Sequence, residues 1–384
     1  MSEVDDRPFA GNSEVRARPA PRGDLASIVQ DPSTMTQQLV EPDTHEVRRT
    51  DAPESTGLAA WLSRFVRGLA PQDWMITVYF GLVMLALAVG SGPGRPECMR
   101  KVVIDVTLFM IGLALTRGGI IRHGTLANSL AYRFTVFLSV FLSYFQLRDI
   151  LPAVSSRALD AEILNFDLTV FGFEPSLSWD KFVNPHTTEW FAFFYFGYFF
   201  ILIAHVFPMM LAARDRDRLA HFSMGIFMVF CIGHLVYMIV PGYGPYRHLA
   251  GQFQNELDGG LFWALVKATV EAGGAQKDIF PSLHTAAPSY FAMFSFIHRR
   301  AFPFKYTWPI MAFIAFQIIC ATMFLRWHYM IDIVAGLSLA ATAAFGSKKI
   351  VEWEKARREK AKVPPIFEPL EWRKAIGADS SRSC

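Results

Sequence analysis

Apolar residues in this chain fall into long, nearly unbroken runs, not into the alternation or the three-and-four spacing of a soluble core. Eight runs stand at about 74–90, 102–116, 134–150, 190–212, 219–240, 285–298, 306–325 and 329–346. Each is read as a membrane span, since about 20 apolar residues cross the hydrocarbon layer as a helix. In lipid the backbone amides and carbonyls must pair within the segment, which a helix achieves unaided. The pattern predicts an all-α fold, a polytopic membrane bundle of about eight transmembrane helices.

The polar intervals complete the outline. Residues 1–57 are rich in Pro, Asp, Glu, Arg, Ser and Thr and hold no apolar run able to build a core or serve as a secretory signal, so they read as a disordered cytoplasmic tail. A short stretch, 58–69, is amphipathic; Trp61, Phe65 and Leu69 are expected along the membrane interface with Arg64 and Arg67 beside them. With the first three spans it forms a unit over 58–150. The catalytic membrane domain is expected over 151–347, and a basic cytoplasmic tail over 348–384. The 151–189 loop is too long for a tight turn and too charged for lipid, and predicts a small cap of interfacial helices. A second long loop, 241–284, contains a lesser apolar stretch at 261–270. Pro288 is expected to kink its span.

Composition sharpens the class. Hydrophobic residues make up 52% of the 384 and charged residues 18%, with 35 Phe, 15 Met and 9 Trp, and mean hydropathy is +0.26. A collagenous, coiled-coil or mainly disordered chain is excluded. A net charge of +3, with no basic patch interleaved with aromatics, argues against nucleic acid as a partner. Cys98, Cys231, Cys320 and Cys384 lie far apart with no CxxC pair, so neither a zinc knuckle nor a disulfide framework is indicated.

Charge also orients the bundle. The dense basic clusters are Arg117/Arg122/Arg133, Arg214/Arg216/Arg218, Arg299/Arg300/Lys305 and the stretch 348–362. All four fall on one side of an eight-span arrangement, which the positive-inside rule makes cytoplasmic. The loops 151–189 and 241–284 and the turn 326–328 then face the extracytoplasmic side, periplasmic or luminal.

On that side three polar strings meet at the ends of the last four spans: PGYGPYR (241–247), FPSLHTA (280–286) and LRWHYMIDIVAG (325–336). His328 and Asp332 are four apart, so on a helix the carboxylate holds one ring nitrogen while the other faces outward. Alone, such a pair is as readily a structural tie. In the second string the proline suits the first turn of a helix and Ser282 suits its cap, leaving amides that attract an anion close to His284. Arg247 and Arg326 are expected at the same depth. Two arginines, two histidines, a carboxylate and a helix start suit a tetrahedral anion. Arginine forks hold the oxygens, one histidine attacks phosphorus, the other protonates the departing oxygen, and neither metal nor cofactor is required.

The strings resemble the type 2 phosphatidic acid phosphatase superfamily, and more closely its inositol phosphorylceramide synthase-like branch. Pro281, Ser282 and His284 match the second signature of that superfamily, Pro-Ser-x-His. His328 and Asp332 match the His-x-x-x-Asp that ends the third, with Tyr329 and Gly336 alongside. Asp167, Phe171, Gly172 and Pro175 within 160–175 are similar to the loop of bacterial members. The first signature, Lys-x6-Arg-Pro, is absent, because Val240 stands seven before Arg247 and His248 follows it. Ala321-Thr322 replaces the Ser-Arg that opens the third, and Leu283 the glycine common in the second. The resemblance implies His328 as a nucleophile forming a phosphohistidine, Asp332 as its orienting partner, and His284 as the proton donor to the leaving group. It implies that Ser282, Arg247 and Arg326 bind the substrate phosphate. The substrates would be bilayer lipids: a lipid acceptor makes a phosphotransferase, water a lipid phosphate phosphatase.

Two rivals use the same residues. His284, His328 and Asp332 also form a legitimate zinc set, as in a lipid amidohydrolase, although the flanking arginines would repel the cation. A proton-coupled transporter would use His328 and Asp332 as a relay. Elsewhere Asp105 is expected to reach the interface beside Lys101, His205 and His234 to make interhelical hydrogen bonds, and the aromatic run 193–200 to contact lipid or neighbouring helices.

Overall fold

The computed structural model describes residues 57–273 and 277–370. Nearly all of the expected N-terminal tail and the end of the basic tail lie outside them. Among the described residues the chain forms thirteen α-helices and no strand: α1 (Leu58–Gly68), α2 (Pro71–Val89), α3 (Arg95–Thr116), α4 (Leu126–Val154), α5 (Asp160–Val170), α6 (Pro175–Trp179), α7 (Pro185–Ala212), α8 (Arg216–Ile239), α9 (Pro245–His248), α10 (Leu261–Gly273), α11 (Leu283–Ile297), α12 (Phe304–Phe324) and α13 (Met330–Ala361). Local chemistry sets several starts. Proline opens α2, α6, α7 and α9, where its missing N–H costs nothing. Side chains of Thr125, Asn184, Asp215 and Ser282 accept amide hydrogen bonds at the starts of α4, α7, α8 and α11.

Six helices, α2, α4, α7, α8, α12 and α13, are long and apolar enough to cross a membrane, as in an integral membrane protein. Two of the eight expected spans do not meet that description. The first half of α3 carries Arg95, Glu97, Arg100, Lys101 and Asp105, and α11 has only 15 residues. At 1.5 Å per residue α11 is roughly 22 Å long, against about 30 Å of hydrocarbon. It is enclosed by protein, packed against α12, α13, α8 and α7. The most enclosed of the six long helices is α8, which touches α2, α4, α11 and α13. Phe222, Phe227, Tyr290, Phe291 and Phe294 fill the space around α8 and α11. On the outer helices Phe141, Phe200, Ile203, Ile310 and Phe316 remain exposed, the apolar surface that lipid would cover.

Several expectations change once neighbours are present. Trp61 and Phe65 of α1 turn toward protein: Phe65 is buried, the rings stack, and the Trp61 indole donates to Gly118 O at 2.9 Å. The exposed apolar residues of α1 are instead Leu58, Leu62 and Val66. Asp105 is buried and accepts from Gln146 Nε2 at 2.6 Å, while Lys101 pairs with Asp149. His234 does reach another helix, at Tyr79 Oη, whereas His205 bonds the Ile201 carbonyl of its own helix and stacks on Phe291. The basic stretch after residue 347 continues α13 to Ala361, after which Ile366 and Phe367 are buried in the core.

Of the 151–189 loop, the first residues extend α4, the last begin α7, and the middle folds into α5 and α6. Both short helices serve the polar strings. Asp160 and Asp167, seven apart on one face of α5, are buried. Asp160 accepts from the Tyr243 and Gly244 amides at 2.8–3.0 Å and from Tyr329 Oη at 3.3 Å. Asp167 accepts from the Met330 and Ile331 amides at 2.6 and 3.1 Å, capping the start of α13. The loop after α8 is thus held beside the turn that carries His328.

Candidate active site

The turn between α12 and α13 is tightly determined. Arg326 takes a left-handed conformation (φ 68°), and the amides of Trp327 and His328 both donate to Thr322 O. Asp332, in the first turn of α13, accepts from the Tyr329 amide at 2.9 Å with the same Oδ2 that lies 3.3 Å from His328 Nδ1. The carboxylate therefore holds the ring of His328 at Nδ1 and leaves Nε2 outside that contact. Burial pushes the imidazole of His328 down to about 4, with Asp278 and the Ile279 backbone pulling the other way. The ring is neutral at pH 7.

The start of α11 meets this turn directly. Ser282 N donates to Asp332 O at 3.0 Å, and Gly336 lies so close that an added Cβ would stand 2.6 Å from Ser282 O. The glycine allows the two helix starts to touch. His284, in the first turn of α11, has its ring centroid 6.2 Å from that of His328. Tyr195 stacks on it at 4.5 Å and Tyr198 lies against it at 4.3 Å, both from α7. Its Nε2 has no hydrogen-bond partner among the described residues.

The two histidines open into one cavity of about 360 Å³, whose walls include Tyr144, Arg148, Tyr243 and Asp278. A shallower groove of about 540 Å³ adjoins it, sharing Arg148 and Tyr243 and adding Asp149, Arg247 and Lys277. Burial raises the carboxyl of Asp278 above the ordinary range, partly offset by its own amide and by His328.

The structure thus brings His284, His328 and Asp332 together and separates the three residues expected on phosphate. Arg247 lies on the adjoining groove, its guanidinium 4.0 Å above the Tyr243 ring. Ser282 is fully buried, with its Oγ accepting from Thr285 N at 3.2 Å as the α11 cap. Arg326 points away from the cavity: Nη2 donates to Asp180 Oδ1 at 2.8 Å and to Asn255 O, over the Phe253 ring at 3.7 Å. It is buried and ties the α6 region to the loop before α10. Among the described residues no group of three His, Cys, Asp or Glu is placed to hold a metal ion.

Residues 161–345 match the PAP2 superfamily. The segment runs from α5 into α13 and holds all three strings, just under half the chain; α1 to α4 lie outside it. Neither the curated proteins nor the solved structures contain a match to this chain. The PAP2 match covers each member of the His/His/Asp group, and it begins at the helix whose two aspartates brace them.

Five contributors to the site are not evident from the sequence. Asp160 and Asp278 sit in polar loops where an acidic residue is unremarked. Tyr195 and Tyr198 were embedded in FFYFGYFF, although two hydroxyl-bearing rings three apart on one helical face were a usable signal. Arg148 looked like a residue at the end of a span.

Proposed function

We propose that this protein is a phosphotransferase of the bilayer, passing a phosphate-linked head group from one lipid to another through His328. The observation that carries the reading is the ring of His328, fixed at Nδ1 by Asp332 and sharing a cavity with the unpartnered Nε2 of His284. PAP2 membership of the 161–345 segment fits phosphoester chemistry on lipid phosphates. Nε2 of His328 attacks the donor phosphorus, the bond from phosphorus to the donor's lipid oxygen breaks, and His284 gives that oxygen a proton. An acceptor hydroxyl then attacks phosphorus, the N–P bond breaks, and the hydroxyl proton passes to His284. Asp332 balances the charge on His328 while the phosphohistidine stands.

Head-group transfer is the reading we carry, on the resemblance of the three strings to the inositol phosphorylceramide synthase-like branch; Asp278 lines the same cavity as His328 and can accept from an incoming hydroxyl, whether of a lipid or of water. We place the cavity on the extracytoplasmic side and count eight crossings, α3 and α11 included. The support is that the four basic clusters stand at the helix ends away from His284 and His328.

Purified full-length protein offered phosphatidic acid, or phosphatidylinositol with ceramide or diacylglycerol, distinguishes the products. A new phospholipid is expected. Free phosphate alone makes the enzyme a phosphatase on the same residues, and activity lost to EDTA and restored by zinc replaces the mechanism with the amidohydrolase. For sidedness, an impermeant thiol reagent should label a single cysteine placed in the 241–273 loop but not one at Ser347; the reverse pattern moves the reaction to the cytoplasmic leaflet.

A further inference from the structure

Accepting His328 as the nucleophile leaves a charge unanswered, since the reacting phosphate brings at least one negative oxygen into a largely aromatic cavity. Arg326 is held on Asp180 and Asn255 and does not line the cavity, Ser282 caps α11, and Arg247 stands on the outer groove. Among the described residues Arg148 alone supplies a lysine or arginine to the wall of the cavity that holds His284 and His328. It comes from α4, one turn beyond Tyr144, which lines the same wall. That helix lies outside the segment that matches the PAP2 superfamily.

The guanidinium has donors to offer. Its Nη1 donates once, to Ala272 O at 2.9 Å, and the nearest carboxylate, Asp149, is 3.8 Å from Nε, beyond a hydrogen bond. A guanidinium carries five N–H groups, so most remain open. Half of the side chain is exposed, and the residue lines both the cavity and the groove. A fork in that place matches two oxygens of one phosphate and tightens as negative charge grows on them during transfer.

We propose that Arg148 is the phosphate-binding arginine of this enzyme, holding the non-bridging oxygens of the donor head group while phosphorus passes from lipid oxygen to His328 and on to the acceptor. No proton moves at Arg148. The residue takes over the work expected of Arg326, from a helix that the superfamily segment does not contain.

The test uses full-length protein in detergent micelles, with phosphatidic acid and with phosphatidylinositol plus ceramide, and orthovanadate as the phosphate probe. Arg148→Gln should lower kcat/KM by about 100- to 1,000-fold and raise the vanadate concentration for half-inhibition at least about tenfold. Arg148→Lys should recover part of both, and added guanidinium should partly rescue Arg148→Gly. Arg326→Gln should lower the melting temperature while vanadate inhibits the surviving activity as before. Vanadate sensitivity unchanged in Arg148→Gln, with only the melting temperature reduced, would make the residue a tether for α10 and overturn the proposal. His328→Ala separates the two readings: activity retained there overturns the phosphohistidine mechanism itself. A dead His328→Ala beside a fully active Arg148→Gln overturns the role of Arg148 alone.

Discussion

Two regions bury charge in this bundle, and they treat it differently. Near the start of α4, Arg133 is fully buried and donates to the carbonyls of Met210 and Glu368. Arg117 bonds Asp73 and Ile366 O and lies over the Tyr132 ring, Asp73 also accepts from Tyr132 and the Ala70 amide, and Glu368 accepts from His123, Asn128 and Gly124 N. Each charged group there has two or more partners; Arg133 Nε, Asn128 Oδ1 and Gln72 Oε1 lack one, but the cavity beside Asn128 holds only about 10 Å³. Fifteen residues along α4, roughly 22 Å by helix rise, the second region leaves His284 Nε2 without a partner on the wall of a cavity, and Asp332 Oδ1 without one behind His328. Burying a polar atom unsatisfied is costly, and one that faces a cavity can be completed by a ligand. The first region is a staple between the C-terminal segment and α2 to α4. The second has bonding capacity to spare.

The sharpest contrast between them is mutational. His328→Ala should remove several orders of magnitude of turnover, the loss typical of a deleted nucleophile, with the melting temperature nearly unchanged. Arg133→Met should do the opposite, costing about 2–5 kcal/mol of stability while activity per folded molecule survives. Turnover assays paired with thermal melts in detergent decide this, and equal losses of both quantities in both variants would erase the distinction. Asp160→Asn should fall between the regions. It loosens the amides of Tyr243 and Gly244 and the Tyr329 hydroxyl, and should lower kcat about 10- to 100-fold with little change in KM, since small misplacements at a reacting centre act at that scale.

Acidity offers finer probes. With the ring of His328 pushed down to about 4, falling pH protonates Nε2 late. The acid limb of kcat/KM due to His328 should lie near pH 4, with about a tenfold loss per unit below it. A limb near 6.5 would mean that the cavity is as wet as open solution. The smallest effect concerns Glu174, whose buried carboxyl is raised to about 7 while bonded to Ser176. Its folded state holds the proton more tightly than the unfolded chain, so the stability it adds is present at acid pH and lost as pH rises through about 7. Glu174→Gln should flatten the change in melting temperature between pH 5 and 8.

The sequence alone disclosed the all-helical membrane character, because a 17- to 23-residue apolar run of this kind has one economical way to satisfy its backbone in lipid. It also disclosed the His328/Asp332 pairing and the place of His284 near a helix start, since both are local relations, although His328 lies in the turn before α13 and Asp332 reaches back to it from the first turn instead of sharing a helical face. Tertiary structure decided which charges face the cavity. Arg326 is two residues from His328, yet a left-handed turn sends it to Asp180, 146 residues away. Arg148 is 180 residues from His328 in the chain and lines the same wall. Tyr195 and Tyr198 became the clasp on His284 only when α7 packed against α11. Local spacing fixes what a helix face carries, but the direction of a turn and the neighbour of a face depend on packing between segments that no short window contains.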